Sequence, residues 1–171
     1  MAKLSEMFAL RRGIQPSAAR KIMITAALHD VGKQKIDKNI INKPGKLDAQ
    51  EFEVMKTHTK LGAEMLSSVQ GELGEMAQAT ALFHHEWYDG NGYWGRRSGD
   101  LPVYVPMVAI VDMFTALICK RAYKDAWPPN DALEYIKNQA GIQFCPELAN
   151  DFVSLIRSDG SIPALFGGKK I

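Results

Sequence analysis

Apolar residues recur along most of this 171-residue chain at the three- to four-residue spacing that gives an α-helix one apolar face. The segment that ends at Cys119 shows this pattern clearly, with an apolar stripe made of Val105, Val108, Ala109, Ala116 and Cys119. No run of alternating β-branched residues is long enough to predict a sheet. The sequence therefore predicts an all-α fold.

The predicted helices are separated by glycine and proline. In order, they span residues 3–12, 17–29, 48–66, 73–84, 105–119, 132–139 and 146–156. Residues 34–48 are predicted to form an irregular connection with at most a short helix. Ser17 is the predicted N-cap of the second helix and Gly32 a stop after it, whereas Pro146 suits the first turn of the last helix. The side chains predicted to face inward on the first and third helices are Leu4, Met7, Phe8, Leu10, Phe52, Met55, Gly62, Met65 and Leu66.

Length and charge limit the classes of protein to consider. The chain is long enough for one domain, predicted over residues 1–157, with a peripheral tail over residues 158–171. A net charge of +2 argues against broad binding of polymeric nucleic acid. The longest apolar region, residues 101–118, contains Asp112 and two prolines, so no membrane span is expected. Cys119 and Cys145 form no CxxC pair, and no signal peptide is evident, which together favour a reducing cytoplasm.

The stretch HHEWYDGNGYW, residues 84–94, is a candidate metal site. Two adjacent imidazoles, His84 and His85, stand at a predicted helix end, where both can reach one ion. The glycines that follow allow the backbone to turn tightly over a ligand. The other two histidines of the chain are His29, which precedes Asp30 at a helix end, and His58, which falls on an apolar helix face.

Asp112 lies on the apolar stripe of its helix, where a lone carboxylate is costly unless a cation or hydrogen bonds compensate. Imidazole and carboxylate ligands without thiolate suit iron, manganese, zinc or nickel. Taken singly, each residue has an ordinary alternative as a core histidine, a surface pair or a helix cap. If these residues hold two metal ions close together, the ions can bind a phosphate and stabilise the charge that develops in an in-line displacement. Lys33 would then neutralise a phosphate oxygen or assist the leaving group, and a solvated lysine after a helix end is the equal alternative.

Four segments resemble, in order and spacing, the HD-GYP domains, a branch of the HD metal-dependent phosphohydrolases. They are HDVGK, INKPGKLDAQEFEVMKTH, HHEWYDGNGYWG, and VAIVDMFTAL followed by KRAYK, and the similarity extends from about Leu4 to Ile156. The resemblance implies a single helical bundle from a bacterial signal-transduction protein. It also implies a phosphodiesterase that hydrolyses cyclic di-GMP to linear pGpG, with cleavage on to GMP left open. Its cofactors would be divalent metal ions, two of them, with iron or manganese favoured over zinc or nickel.

The same resemblance implies a role for particular residues. Lys33 and Asp30 would be catalytic, and Arg121 and Lys124, with Tyr123 between them, would form a basic substrate-contacting pair. Asp89, Gly92 and Tyr93, in the loop over the ligand, are expected to bind substrate as well. The implied metal ligands are His29, Asp30, His58, His84, His85 and Asp112.

The chain departs from the family pattern at several positions. Trp94 replaces the proline of the GYP signature and would block or reshape the loop. Thr115 and Cys145 stand where the family has aspartates, and Cys145 is expected to lose a helix cap. A further family ligand, a histidine, would fall ahead of Met1. We therefore expect an N-terminally truncated domain, or one lacking part of the first helix. One metal position, formed by Asp30, His58, His84 and His85, would be complete, while the other would retain only His29, Asp30 and Asp112.

These departures leave two alternatives to a phosphodiesterase. One is a catalytically weak module that binds a cyclic dinucleotide or a protein partner, and the other is an HD hydrolase that acts on a different nucleotide. An upstream regulatory domain and a homodimer are further expectations.

Overall fold

The computed structural model describes residues 1–119, 125–160 and 162. Their regular structure is helical, with α1 at Ala2–Arg11, α2 at Pro16–Leu28, α3 at Lys38–Ile41, α4 at Ala49–Lys56, α5 at His58–Leu66, α6 at Glu72–Phe83, α7 at Tyr104–Ile118, α8 at Pro129–Asn138 and α9 at Pro146–Ser158. Two 3-10 helices cover Val31–Lys35 and Ser98–Asp100. No β-strand occurs within these described ranges, which confirms the all-α prediction.

Helix α7 lies at the centre of the main apolar core. It contacts α1, α2, α6, α8 and α9. Most of its residues are buried because apolar side chains occupy most of its surface and not only the predicted stripe. Phe114 of α7 and Phe8 of α1 both pack against Phe152 of α9, with ring centroids 5.3 and 5.2 Å apart. Ile162 is fully buried in the same core, so the prediction that the whole tail is peripheral is wrong at this residue.

The first 3-10 helix, Val31–Lys35, and α5 approach each other through glycine. A Cβ atom added to Gly32 would lie 2.0 Å from the carbonyl oxygen of His58 and 2.4 Å from the backbone nitrogen of Gly62. Any side chain at Gly32 would push the two elements apart. This contact brings the segment that carries His29 and Asp30 against the first turn of α5.

The predicted helix over residues 48–66 is interrupted at Thr57, which separates α4 from α5. Side chains take up the carbonyl groups that would accept the next helical hydrogen bonds, because Ser, Thr and similar residues compete with the backbone for such partners. These contacts run from Thr57 Oγ1 to the Val54 oxygen at 2.6 Å, from His58 Nδ1 to the Met55 oxygen at 2.7 Å, and from Thr59 Oγ1 to the Lys56 oxygen at 2.9 Å.

Several other local predictions are wrong. Helix α2 begins at Pro16, one residue before the predicted cap Ser17, because proline is well suited to the first helical position. Leu10 and Phe52 are each 43% exposed and Cys119 is exposed, since periodicity identifies an apolar face but not whether another element covers it.

Cys145 precedes α9 without a capping side-chain hydrogen bond, as the sequence predicts. No helix in the described part of the chain has the length and apolar character needed to cross a bilayer.

Candidate metal centre

Five of the six predicted metal ligands lie where helices begin or end, and the sixth, Asp112, lies within α7. His29 is the residue that ends α2 and Asp30 follows it, His58 is the first residue of α5, and His84 and His85 follow α6. Neighbouring residues at a helix end are no longer held about 100° apart around the axis. The contacts of α5 with α6 and with the first 3-10 helix bring these ends together.

Four of the side chains converge on one point. One ligand atom from each of Asp30, His58, His84 and His85 lies within 4.8 Å of the other three. Asp30 Oδ1 is 3.3 Å from His58 Nε2 and 3.7 Å from His84 Nε2. This is the grouping that the sequence predicts for the complete metal position.

Backbone carbonyl groups fix the orientation of three imidazoles. Each ring contacts a carbonyl oxygen of the preceding turn through Nδ1, and a donated Nδ1–H leaves the Nε2 lone pair directed at the centre. The pairs are His29 with Ala26 at 2.7 Å, His58 with Met55 at 2.7 Å, and His84 with Thr80 and Ala81 at 3.1 and 3.0 Å. His58 Nε2 and His84 Nε2 are 3.4 Å apart. With Nδ1–H donated by both rings, two lone pairs face each other there, and a shared cation would stabilise them.

The second group of ligands surrounds His29. Its Nε2 atom lies 3.3 Å from Asp30 Oδ2 and 3.5 Å from Asp112 Oδ1. His29 Nε2 and Asp30 Oδ1 are buried and have no partner with hydrogen-bond geometry, although charged neighbours lie within ion-pair distance. Buried polar atoms without partners are costly, and a bound cation would satisfy both.

The local electrostatics produce the protonation states that metal ligands need. Burial lowers the pKa of His85 to about 2, helped by the charge of His84, and burial likewise lowers the pKa of His84. Burial alone would raise the pKa of Asp30 and Asp112, but their contacts with His29 outweigh it and lower both values. Neutral imidazole and ionised carboxylate are the forms that bind divalent metals.

The pKa of His29 is shifted in the opposite direction. Burial lowers it, but the close contacts with the Asp112 and Asp30 carboxylates outweigh burial and raise the pKa to about 10. In the absence of metal, a proton on His29 therefore compensates the two carboxylates. The donor set as a whole, imidazole nitrogen and carboxylate oxygen without thiolate, fits iron, manganese, zinc or nickel.

The glycine loop, residues 89–95, approaches this cluster closely. Tyr93 lies with its ring centroid 4.5 Å from that of His85 and 6.4 Å from that of His58. Gly92 has no space for a side chain, because an added Cβ would lie 2.5 Å from the Glu86 Cα atom and 2.6 Å from the His85 oxygen. Burial, with the nearby charges of Asp30 and Asp112, raises the pKa of Tyr93 to about 12, so its phenol is protonated at neutral pH.

The other predicted site residues occupy different positions. Lys33 Nζ is 2.6 Å from Asp30 Oδ2 at the edge of the cluster. Asp89 accepts hydrogen bonds from the backbone and side-chain nitrogens of Asn91, both at 2.9 Å, and so supports the turn. Arg121 and Lys124, with Tyr123, lie outside the described residues.

Sequence reasoning missed two residues that organise the loop. Glu86 is 3% exposed, and its carboxylate accepts backbone hydrogen bonds from Trp94 at 2.7 Å and Arg96 at 2.6 Å. Thr59, fully buried, accepts a hydrogen bond from the Trp94 indole at 3.0 Å. A carboxylate between a histidine pair and a glycine loop was a usable signal for Glu86, whereas nothing in the local sequence indicates Thr59.

The architecture is that of a single helical domain in which histidines and an aspartate at converging helix ends meet a second aspartate from within α7. Residues 1–148 match the family model described as HD domain. The chain belongs to the HD domain family, and the resemblance to its HD-GYP branch is confirmed.

Curated relatives and a solved structure support this assignment. The chain is 41% identical over 149 residues to 3'3'-cGAMP-specific phosphodiesterase 2 of Vibrio cholerae, a match that covers 86% of this chain and 28% of the relative. It is 36% identical to the cyclic di-GMP phosphodiesterase response regulator RpfG of Xanthomonas campestris, over 98% of this chain and 44% of the relative. The fold is also that of Bd1817, a HDG"Y"P protein from Bdellovibrio bacteriovorus, with a TM-score of 0.72 at 17% identity over 92% of this chain and 50% of that one.

Proposed function

We propose that this domain is a metal-dependent phosphodiesterase that hydrolyses cyclic di-GMP to linear pGpG in bacterial second-messenger signalling, with further cleavage to GMP left open. The observation that carries the proposal is the position of Asp30. Its Oδ1 atom faces His58 and its Oδ2 atom faces His29, at 3.3 Å in each case. A carboxylate with a histidine nitrogen ligand beside each oxygen is suited to bridge two cations.

The proposed cofactors are two divalent metal ions, with iron or manganese favoured over zinc or nickel. Asp30, His58, His84 and His85 would hold one of them. His29 and Asp112, together with Asp30, would hold the other. Bound there, such ions would neutralise phosphoryl oxygens and stabilise the charge that develops as the diester is cleaved.

The remaining proposed roles belong to residues around the cluster. Lys33 has a side chain that is 36% exposed, so its ammonium group can turn from Asp30 towards a phosphate oxygen at the mouth of the site. Tyr93 retains its proton at neutral pH and would donate a hydrogen bond to the substrate. Asp89 and Gly92 would shape the loop around the substrate. Arg121 and Lys124 would contact its charged groups.

The names of the relatives support a cyclic dinucleotide as the substrate. Two enzymes at 36% and 35% identity are called cyclic di-GMP phosphodiesterases, and the relative at 41% identity is named for 3'3'-cGAMP. Both molecules contain two phosphodiester bonds and two purines, so both belong in the test. The chain spans less than half the length of these curated relatives. A cytoplasmic location, an upstream regulatory domain and a homodimer are further parts of the proposal.

The test is a turnover assay on the purified chain, loaded anaerobically with Fe²⁺ or Mn²⁺ and incubated with each cyclic dinucleotide. We expect pGpG to accumulate from cyclic di-GMP and the reaction to stop when a chelator removes the metal. Asp30→Asn should bind less metal and form no detectable product. If fully metal-loaded protein leaves both cyclic dinucleotides intact, the proposal is wrong.

The limited ligand set around His29 favours a second candidate, a catalytically weak module that binds a cyclic dinucleotide or a protein. Only Asp30 and Asp112 accompany His29 among the described residues. Calorimetry separates the two candidates, because saturable binding of cyclic di-GMP without product supports the module. Loss of turnover in His84→Ala, with binding retained, supports the enzyme. Turnover of a different nucleotide would indicate another HD hydrolase activity.

A further inference from the structure

Trp94 joins the glycine loop to the helix that begins with His58. Its indole Nε1–H donates to Thr59 Oγ1 at 3.0 Å. The Thr59 hydroxyl itself donates to the Lys56 carbonyl oxygen at 2.9 Å, which fixes its orientation and leaves a lone pair for the indole. Lys60 covers the ring, with Nζ 3.7 Å from the indole centroid, a cation–π distance. The indole is thus held on α5.

The backbone of Trp94 is held on the other side of the site. Its N–H donates to Glu86 Oε1 at 2.7 Å, and Glu86 is the residue after the histidine pair. Glu86 is 3% exposed, so this charge-assisted bond is protected from water. Proline at this position could not make the bond because it has no N–H. Trp94 therefore links α5 to the segment that carries His84 and His85.

Tyr93 lies between these two attachments and the histidines. Its backbone N–H reaches the His85 carbonyl oxygen at 3.4 Å, and its ring packs on the His85 ring. Gly92, on its other side, is confined by the Glu86 and Trp87 backbone. With both flanking residues held, the phenol of Tyr93 has little freedom to leave the cluster.

We propose that Trp94 is a positioning residue, which ties the glycine loop to α5 through Thr59 and so holds the Tyr93 phenol where it contacts the phosphodiester substrate. This inference rests on the proposed function. Of the two effects expected of Trp94, blocking or reshaping the loop, this role corresponds to the second, because the indole packs along α5 beside Lys60. The loss of Trp94 should weaken substrate binding through Tyr93 and leave the metal ligands in place.

The main experiment is a double-mutant cycle on metal-loaded protein with Trp94→Phe and Tyr93→Phe. Trp94→Phe keeps an aromatic ring and the backbone N–H but removes the indole donor. We expect each single variant to raise KM for cyclic di-GMP about fivefold, the size of one net hydrogen bond, with kcat within about twofold of wild type. The double variant should match Tyr93→Phe, since the tryptophan acts through the tyrosine. Additive effects, or an unchanged KM in Trp94→Phe, would overturn the proposal.

Thr59 provides a matched pair of variants at the other end of the contact. Thr59→Val removes the acceptor at constant shape and should reproduce Trp94→Phe, whereas Thr59→Ser keeps the hydroxyl and should restore wild-type KM. Trp127→Phe, outside the loop, controls for the loss of a tryptophan. Equal metal content and circular dichroism across the set show that each variant is folded.

Hydrogen exchange distinguishes failure of this inference from failure of the proposed function. Amides of residues 89–95 should exchange faster in Trp94→Phe and Thr59→Val than in wild type, Thr59→Ser or Trp127→Phe. If wild type binds cyclic di-GMP without turnover, the same cycle is measured by dissociation constants. If wild-type protein neither binds nor hydrolyses cyclic di-GMP, the proposed function has failed, and the proposed substrate role of Tyr93 fails with it. Unchanged hydrogen exchange in Trp94→Phe and Thr59→Val would show separately that Trp94 does not tie the loop to α5.

Discussion

The domain contains two regions that are stabilised in different ways. The apolar region, formed by α1, α2, α7, α8 and α9, shares one extensive buried cluster that includes Phe8, Phe114 and Phe152. The site region, formed by the first 3-10 helix, α5, α6 and the glycine loop, has a cluster of only three buried apolar residues among those described, Leu66, Ala77 and Ala81. The site region depends instead on close backbone approach, buried hydrogen bonds and charge.

This difference shows where stability and function can be altered separately. Burial of apolar surface stabilises the first region without any ligand. In the site region, His29 Nε2 and Asp30 Oδ1 are buried without hydrogen-bond partners, so that region is incomplete on its own. Helix α7 belongs to both regions, because Phe114 packs in the core while Asp112 contacts His29.

The largest expected effect is on activity and comes from Asp30→Asn. The substitution removes the negative charge that lies between His58 and His29. The variant should therefore bind less metal, and bound metal contributes several kcal/mol of charge stabilisation in the transition state. We expect kcat/KM for cyclic di-GMP to fall by about 10⁴-fold. Urea denaturation of the metal-free variant should show a much smaller change than the core variant described next. A comparable loss of stability would mean that the two regions are not separable.

The next effect is on stability and comes from Phe114→Ala in the apolar region. Because the ring is fully buried, we expect the free energy of unfolding to fall by about 3–5 kcal/mol in urea denaturation. The matched control is Phe52→Ala, the same substitution at a residue that is 43% exposed, which should cost less than about 1 kcal/mol. Similar losses in both variants would contradict the comparison. The kcat of the folded fraction of Phe114→Ala should stay near wild type.

Metal binding should stabilise the protein by an intermediate amount. Mn²⁺ at about 100 times its dissociation constant is expected to raise the free energy of unfolding by about 2.7 kcal/mol. Hydrogen exchange should show the added protection in α5, α6 and the first 3-10 helix more than in α8 and α9. Asp30→Asn is the control and should give a smaller shift. Equal protection of both regions would show that the metal does not act on the site region in particular.

The smallest effect concerns the charge of Asp48, which caps α4 at the edge of the site region. Hydrogen bonding to the Glu51 backbone N–H lowers the pKa of Asp48. A carboxylate with a lowered folded-state pKa contributes stability above its unfolded value, about 3.9, and loses it as the pH falls through the folded value. Asp48→Asn keeps a capping oxygen without the charge. Its small deficit in melting temperature at pH 7 should therefore disappear as the solution is acidified, and a deficit that stays constant would exclude this origin.

Sequence patterns were sufficient where the signal is local or periodic. The helical character of α7, the first-turn position of Pro146 and the positions of His29 and His84 at helix ends all follow from short segments. Of the predicted stripe of α7, only Val105 and Val108 are buried, because apolar residues surround most of that helix. The break at Thr57 did not follow, because it depends on side chains that compete for backbone carbonyl groups. The exposure of Phe52 did not follow either, since it depends on whether another element of the described part of the chain covers that face.

The sequence by itself determined the helical class, the family and the set of candidate metal ligands, because periodicity and residue type are properties of the chain alone. Only the tertiary structure decided that Asp30 stands between His58 and His29, and that Trp94 reaches Thr59. The physical reason is that these contacts join residues distant in the chain. Their distances depend on how closely α5 approaches its neighbours, which the absence of a side chain at Gly32 permits.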